Sequence, residues 1–373
     1  MIHGLPGRKP GEYLTHREAD EATALIRGWH AKRQPFFLQV SHYAVHTPVQ
    51  AIGEVAAKYE KDGKNAINAK YAAMVESVDD STGRILATLK ELGIDKDTLV
   101  IFTSDNGGLD DDGKPTENAP LRGGKGTPYE GGIRVPFLVR WPGVVPAGRV
   151  STTPVSSIDI FPTALETAAV PLPGGRAIDG LSLVAHLKSG GRVGLDRDEL
   201  LWHFPHYRCG IPPYSAIRKG DWKLIKFWDG SRELFDLSAD PGEEKDLAAD
   251  MADQAAELET ILMRRLADGG AKLPRDNPEY VPNEKPAPRS VTTPWSPHPP
   301  RSRQSPRAGE GGGEDWSNWA RTPSGEPPRK PLETGEFRAP WRRRMRGPKV
   351  RTGESMATRR HRISNNLAVF SVL

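Results

Sequence analysis

The sequence of 373 residues predicts an α/β domain followed by a smaller α+β subdomain, and three observations carry that reading. Apolar runs without alternation, above all Leu99-Val100-Ile101-Phe102, suit strands covered on both faces. Those runs alternate with segments of helical period, such as Tyr71, Val75, Val78, Thr82, Ile85, Leu89 and Leu92, which step by four and three. Near Leu200 the texture changes to short strands with turns, closed by one amphipathic helix. The expected organisation is an α/β domain at residues 12–199, an α+β subdomain at 200–282 and a tail at 283–373.

Taken in order, Thr15 to Lys32 reads as a helix with Ala22, Leu25, Ile26 and Trp29 on one face and Glu18 in a capping-box relation to Thr15. Pro35 to Val40 reads as a buried strand that runs into Ser41 to Pro48, where His42 and His46 stand at the strand end. The helix over Tyr71 to Leu92 stops at Gly93, and its Glu76, Asp79 and Asp80 are expected to form a solvated face rather than a metal cluster.

The strand at 99–102 ends in Thr103-Ser104-Asp105-Asn106-Gly107-Gly108. Asp105 and Asn106 are adjacent hard oxygen donors, the type that calcium or magnesium prefers. They fall at the carboxyl edge of a sheet, where open α/β folds place ligands. Asn106-Gly107 is equally a turn signal. A glycine-rich stretch follows, in which Lys125 stands in Gly-Gly-Lys-Gly-Thr; the glycines let backbone approach an anion and the ammonium supplies a point charge. A lysine in a solvated turn is the bland alternative. A phosphate-cradling P-loop is excluded because Gly126, not Ser or Thr, follows the lysine.

Phe137 to Trp141 reads as a further strand. Ser157 to Thr163 leads into an Ala-rich helix with Pro162 in its first turn, and Asp179-Gly180 is expected to begin a short helix. Trp222 to Phe227 and Arg232 to Leu237, joined through Asp229-Gly230, read as a hairpin. Met251, Ala255, Leu258, Leu262 and Leu266 mark the closing helix.

The net charge of +4 hides an asymmetry: residues 283–373 hold 18 Lys and Arg against 8 Asp and Glu, while residues 1–282 hold 34 against 40. The basic excess belongs to the tail, so it does not argue that the folded part binds nucleic acid. The tail is rich in Pro, Arg, Gly and Ser, loses apolar periodicity and recovers an apolar run only at Leu367 to Leu373. Such a composition predicts disorder, although Trp341 with Arg342 to Arg344 has the make-up to stack on nucleic acid. Cys209 is the only cysteine, which excludes an intrachain disulfide and a cysteine metal cluster. No apolar run approaches a membrane span, and Met1 to Gly11 lacks the blocks of a signal peptide, so a soluble, unexported chain is expected.

These segments resemble the sulfatases of the alkaline phosphatase superfamily. Ser104-Asp105-Asn106-Gly107 is similar to their second metal-binding segment, and Gly124 to Pro136, reading GKGTPYEGGIRVP, is similar to the segment with their sulfate-binding lysine. Further matches are Ser41 to Pro48, Trp202 to Tyr207, Ala216 to Ile225, and Glu233 to Leu237 with Asp240-Pro241 and Glu244. The resemblance covers about residues 12–282 in family order. It implies an alkaline-phosphatase-like central sheet flanked by helices, and hydrolysis of sulfate monoesters. It also implies a calcium or other hard divalent ion at Asp105 and Asn106, and substrate-binding and catalytic roles for Lys125 and His46, with His42 a weaker candidate.

The likeness has a gap. The family's Asp-Asp metal pair, its C-x-P-S-R segment with the cysteine that becomes formylglycine, and its G-K-W-H-like segment are absent, and Cys209 in Arg208-Cys209-Gly210-Ile211-Pro212 does not fit. The expectation is therefore a truncated sulfatase, inactive alone. The alternatives are a related phosphatase or phosphonate hydrolase, and a non-enzymatic anion-binding remnant. A small-molecule or carbohydrate sulfate ester is the expected ligand, with no membrane or nucleic-acid partner. Family members are often periplasmic, secreted or lysosomal, and the sequence assigns no compartment to this chain.

Overall fold

A computed structural model describes residue 7 and residues 10–61, 66–110, 116–208, 211–275 and 366–372. In chain order the elements are α1 (Leu14–Ala31), β1 (Phe36–His42), α2 (Gly53–Lys61), α3 (Ala66–Glu91), β2 (Thr98–Ser104), α4 (Glu130–Ile133), β3 (Phe137–Arg140), α5 (Ile160–Thr167), α6 (Val184–Lys188), β4 (Glu199–Phe204), β5 (Tyr214–Lys219), β6 (Trp222–Phe227), β7 (Arg232–Asp236), α7 (Ala252–Asp268) and β8 (Asn366–Val372). Two four-stranded sheets result, ordered β1-β8-β2-β3 and β4-β5-β6-β7.

The first sheet is built around β2. Its unalternating run is buried on both faces as the sequence requires: Val100 packs with Ile26, Leu38, Ile85 and Leu89 of α1, β1 and α3. Leu99 and Ile101 pack on the other side with Trp141, Ile160 and Ala164. β1 departs from the expected fully buried strand. It lies at the sheet edge and alternates, with Phe36, Leu38, Val40 and His42 buried and Phe37 55% exposed.

The stretch between β1 and β2 in space comes from the region assigned by sequence to the tail. β8 runs parallel to both neighbours in unbroken register, from Phe36↔Asn366 to His42↔Val372 on one side and from Thr98↔Asn366 to Ser104↔Val372 on the other. Ala368 and Val369 are buried. The apolar run noted within the tail thus pairs with both strand edges: after Asn366 the strand residues Leu367 to Val372 are all apolar or small, whatever the composition before them. Residues 276–365, with Trp341 and Arg342 to Arg344, lie outside the described residues.

The second sheet is antiparallel throughout. One face packs Ile217, Leu224 and Leu234 against Ala255, Leu258, Leu262 and Leu266 of α7. The opposite face packs Tyr214, Ala216, Ile225, Phe227 and Phe235 against Tyr129, which belongs to the glycine-rich segment after Lys125. The smaller sheet therefore buries its second face on the loop that carries the candidate site.

Three local expectations change. The start of α1 has Tyr13 as its N-cap with no side-chain cap, and Glu18 turns inward to His42 instead of pairing with Thr15. Helix α6 begins at Val184, not Asp179. The backbone N–H of Leu181 donates to Asp159 Oδ1 (2.8 Å) and that of Leu183 to Thr163 Oγ1 (2.9 Å), which holds 179–183 out of helical geometry. Helix α2 was not anticipated by sequence periodicity. Among the described residues no helix is long and apolar enough to cross a membrane.

Candidate active site

Strand β2 delivers Asp105, which is exposed, and Asn106, which is half-buried, to the carboxyl edge of the first sheet. Ser104 Oγ donates to the Asn106 carbonyl (2.9 Å) and Asn106 Nδ2 donates to the Gly107 carbonyl (3.0 Å). These bonds fix the turn, and among the described residues the Asp105 carboxylate and the Asn106 amide oxygen have no hydrogen-bond partner.

The glycine-rich segment is locked onto this turn through backbone. Gly107 N–H donates to the Gly132 carbonyl and Lys125 N–H to the Gly108 carbonyl, both at 2.9 Å. The Asn118 side chain accepts from Gly108 N–H (3.1 Å) and donates to the carbonyls of Gly108 and Gly123 (3.0 Å each). Such proximity needs glycine: a β-carbon on Gly107 would lie 2.8 Å from the Gly131 carbonyl carbon. Asp105, Asn106, Lys125 and Thr127 accordingly line one open cleft of about 2810 Å³.

A buried ionic cluster stands behind that segment. Lys223 Nζ, on β6, lies 2.9 Å from Glu130 Oε1 and 2.8 Å from Glu243 Oε1, with all three side chains at most 3% exposed. Glu243 Oε2 also accepts from the Glu130 backbone N–H (2.6 Å), which caps the short helix α4. Burial pushes the Glu243 carboxyl above its ordinary range, against the pull of Lys223. Nearby, Arg122 sits 3.8 Å over the Tyr129 ring and donates to the Glu243 carbonyl (2.9 Å). Tyr129 Oη donates to Glu233 Oε2 (2.9 Å), and burial raises the Glu233 carboxyl as well.

The histidines divide. His42 is fully buried, with Nδ1 2.6 Å from Glu18 Oε2 and Nε2 3.0 Å from Ser81 Oγ. It ties β1 to α1 and α3 and has no ring nitrogen left for a ligand. His46 follows β1 at the same carboxyl edge as Asp105, with Nδ1 2.6 Å from the Thr47 carbonyl and its ring 5.5 Å from that of Tyr43. It does not line the cleft. Because β8 lies between β1 and β2, the strands leading to His46 and Asp105 are two spacings apart, roughly 9.6 Å.

Asp105 and Asn106 have the donor chemistry of a hard-cation site, but not the number. Calcium takes about six to eight oxygens, and no group of three or more His, Cys, Asp or Glu side chains suited to a metal occurs among the described residues. Asp79 and Asp80 are exposed on α3, as expected of a solvated face. Cys209 lies outside the described residues.

Comparison with known proteins decides the family. A model described as Sulfatase matches residues 4–170, and one described as N-sulphoglucosamine sulphohydrolase, C-terminal, matches residues 124–271. The chain belongs to the sulfatase family. A sulfatase of Formosa agariphila is 37% identical over 277 residues, 68% of this chain and 48% of that protein. The N-acetylgalactosamine-6-sulfatase of Mus musculus is 39% identical over 242 residues, 63% of this chain and 44% of that one. The crystal structure of Ps i-CgsB in complex with k-i-k-neocarrahexaose superposes with a TM-score of 0.64 at 30% identity, covering 70% of this chain and 56% of that chain. This sulfatase-family chain thus has the alkaline-phosphatase-like α/β fold, and it spans about half the length of the curated relatives it matches.

Sequence reading of the sulfatase motifs singled out Asp105, Asn106 and Lys125, which share the cleft, and His46, which does not line it; it did not single out Lys223, Glu130 and Glu243. Lys223 and Glu130 both lie inside the matched motifs, where their charge reads as surface. Glu243 is the buried carboxylate, whereas the motif residue Glu244 is exposed. The one available signal was a charged residue inside the apolar strand pattern Trp222-Lys223-Leu224-Ile225.

Proposed function

We propose that this chain is the anion-binding part of a sulfuric ester hydrolase that acts on carbohydrate sulfates. The observation that carries the reading is the backbone lock from Lys125 N–H to the Gly108 carbonyl, which holds the lysine on the same cleft as Asp105 and Asn106. In that cleft the Lys125 ammonium neutralises one sulfate oxygen, and the backbone of Gly124 and Gly126 permits close approach. Asp105 and Asn106 would supply two oxygens to a hard cation that polarises the sulfate. Their number falls short of a complete shell. His46, at the same edge, would donate toward the leaving oxygen once an ester spans the distance from the Lys125 side.

The chain alone is proposed to bind without turnover. Hydrolysis in this family starts from a modified cysteine, and Cys209 stands outside the pattern that is modified. The test pairs two measurements on the purified 373-residue protein: binding of a monosulfated monosaccharide by calorimetry, and release of nitrophenol from an aryl sulfate and an aryl phosphate. Saturable binding that Lys125→Ala abolishes, without hydrolysis, is expected. Aryl sulfate hydrolysis abolished by the same variant would overturn the claim of inactivity; preferential binding or turnover of phosphate would overturn the sulfate assignment.

A further inference from the structure

Among the described residues Lys125 is not the only cation of the cleft without a carboxylate partner. Of the half-buried basic residues that line it, Arg140, Arg197, Arg218, Lys219 and their carboxylate partners form ion pairs, and only Lys125 and Arg208 stand outside any pair with a described carboxylate. Arg208 also lies against the Lys125 loop. A β-carbon on Gly126, the residue after Lys125, would fall 2.6 Å from Arg208 Cδ and 3.0 Å from Cζ. With φ +91°, that position is closed to other residues twice over.

The backbone of Arg208 is pinned. Its N–H donates to the Ile211 carbonyl (3.1 Å) and its carbonyl accepts from Ile211 N–H (2.7 Å). Tyr214, which feels the Arg208 charge, gives no counter-charge: burial pushes it up to about 12, so its hydroxyl stays neutral at pH 7 even with the guanidinium drawing it down. A half-buried guanidinium on an anchored backbone, with no carboxylate partner among the described residues and beside an anion-binding lysine, is a ready bidentate partner for an oxyanion.

We propose that Arg208 receives a second anionic group of the substrate, a sulfate or carboxylate on the same or the adjoining sugar, and so selects polyanionic sulfate esters over monoanionic ones. This rests on the reading of Lys125 as the anchor of the ester sulfate, and the two are separable by experiment. Calorimetric titration of the full chain, at fixed ionic strength, would use a monosulfated monosaccharide, the same sugar with a second sulfate, and the same monosulfated sugar bearing a carboxylate. Wild type should bind both dianions more tightly. Arg208→Ala should lower affinity for the dianions about tenfold or more while leaving the monosulfate within about twofold, and Arg208→Lys should recover part of the loss. A gain with only one dianion identifies which second group is read. Equal loss for mono- and dianionic sugars, or no loss for either, overturns the role of Arg208. Absence of monosulfate binding in wild type, or its persistence in Lys125→Ala, instead overturns the anchor. Unchanged thermal unfolding of Arg208→Ala secures the comparison.

Discussion

Lys223 and Glu130 stand 2.9 Å apart with neither side chain more than 3% exposed, and they join the second sheet to the segment that carries Lys125. Removing one member of a buried ion pair leaves the other desolvated and unpaired. Lys223→Met, which strands two carboxylates, should cost about 3–5 kcal/mol of stability, measured by chemical denaturation. Glu130→Gln and Lys223→Met combined should cost less than the sum of the single changes. A Lys223→Met loss below about 1 kcal/mol would contradict the role given to the cluster.

Gly107 is confined by the Gly131 and Gly132 backbone. Gly107→Ala should therefore displace the turn after Asn106 and weaken anion binding at Lys125, with a stability loss of about 1–3 kcal/mol from the strained backbone. Gly53→Ala, at a glycine with open space around it, is the control and should leave binding unchanged.

The raised carboxyls of Glu243 and Glu233 set the sign of a pH dependence. Each holds its proton more tightly in the folded chain than in the unfolded one, where 4.5 is the ordinary value. Above about 4.5 the folded state binds more protons, so their contribution to stability is present at low pH and is lost as pH rises through the folded values. The lowered carboxyls of Glu76, Glu91, Glu259 and Asp236 work in the opposite direction and lose their contribution as pH falls. Glu243→Gln should flatten the decline above pH 4.5 and leave the acid limb unchanged. An unaltered profile in urea titrations from pH 4 to 8 would show that Glu243 ionises freely.

Ala368 is the third of the seven residues of β8, with hydrogen-bonded strands on both sides. Ala368→Pro removes a ladder donor and should cost about 3 kcal/mol or more, while hydrogen exchange on the unmodified chain should show amides of 366–372 protected to the same degree as those of β1 and β2. Rapid exchange throughout 366–372 would show that this strand is not held in the sheet.

Asp105→Asn removes the charged oxygen donor of the adjacent pair. Calcium binding by the chain should be weak and should fall further in this variant, by calorimetry at neutral pH. Tight binding that survives the change would place the cation elsewhere.

Much of the fold could be read from periodicity. β2 announced itself because a strand covered on both faces needs no alternation, and α3 and α7 because their apolar residues recur every three or four positions. The candidate site was legible where chemistry is local, as in the adjacent donors Asp105 and Asn106 and the glycines around Lys125, which the structure brings to one cleft. What escaped depends on partners distant in sequence. The buried charge of Lys223 makes sense only with Glu130 and Glu243, 93 residues before and 20 after it, and the inward turn of Glu18 only with His42. β1 looked fully buried because its run is apolar, but its place at the sheet edge is decided by which strand lies beside it. The strand 366–372 was hidden by the composition that precedes it.

That strand has a consequence for how the molecule is made. Ser104 leaves the ribosome 262 residues ahead of Asn366, an interval of about 10–50 s at roughly 5–20 residues per second. Through that interval β1 and β2 lack the strand that pairs with both here, and an unpaired strand edge is open to capture by a foreign strand. The pairings that join β1 to β2 are therefore of long sequence separation, and contacts of that kind form slowly.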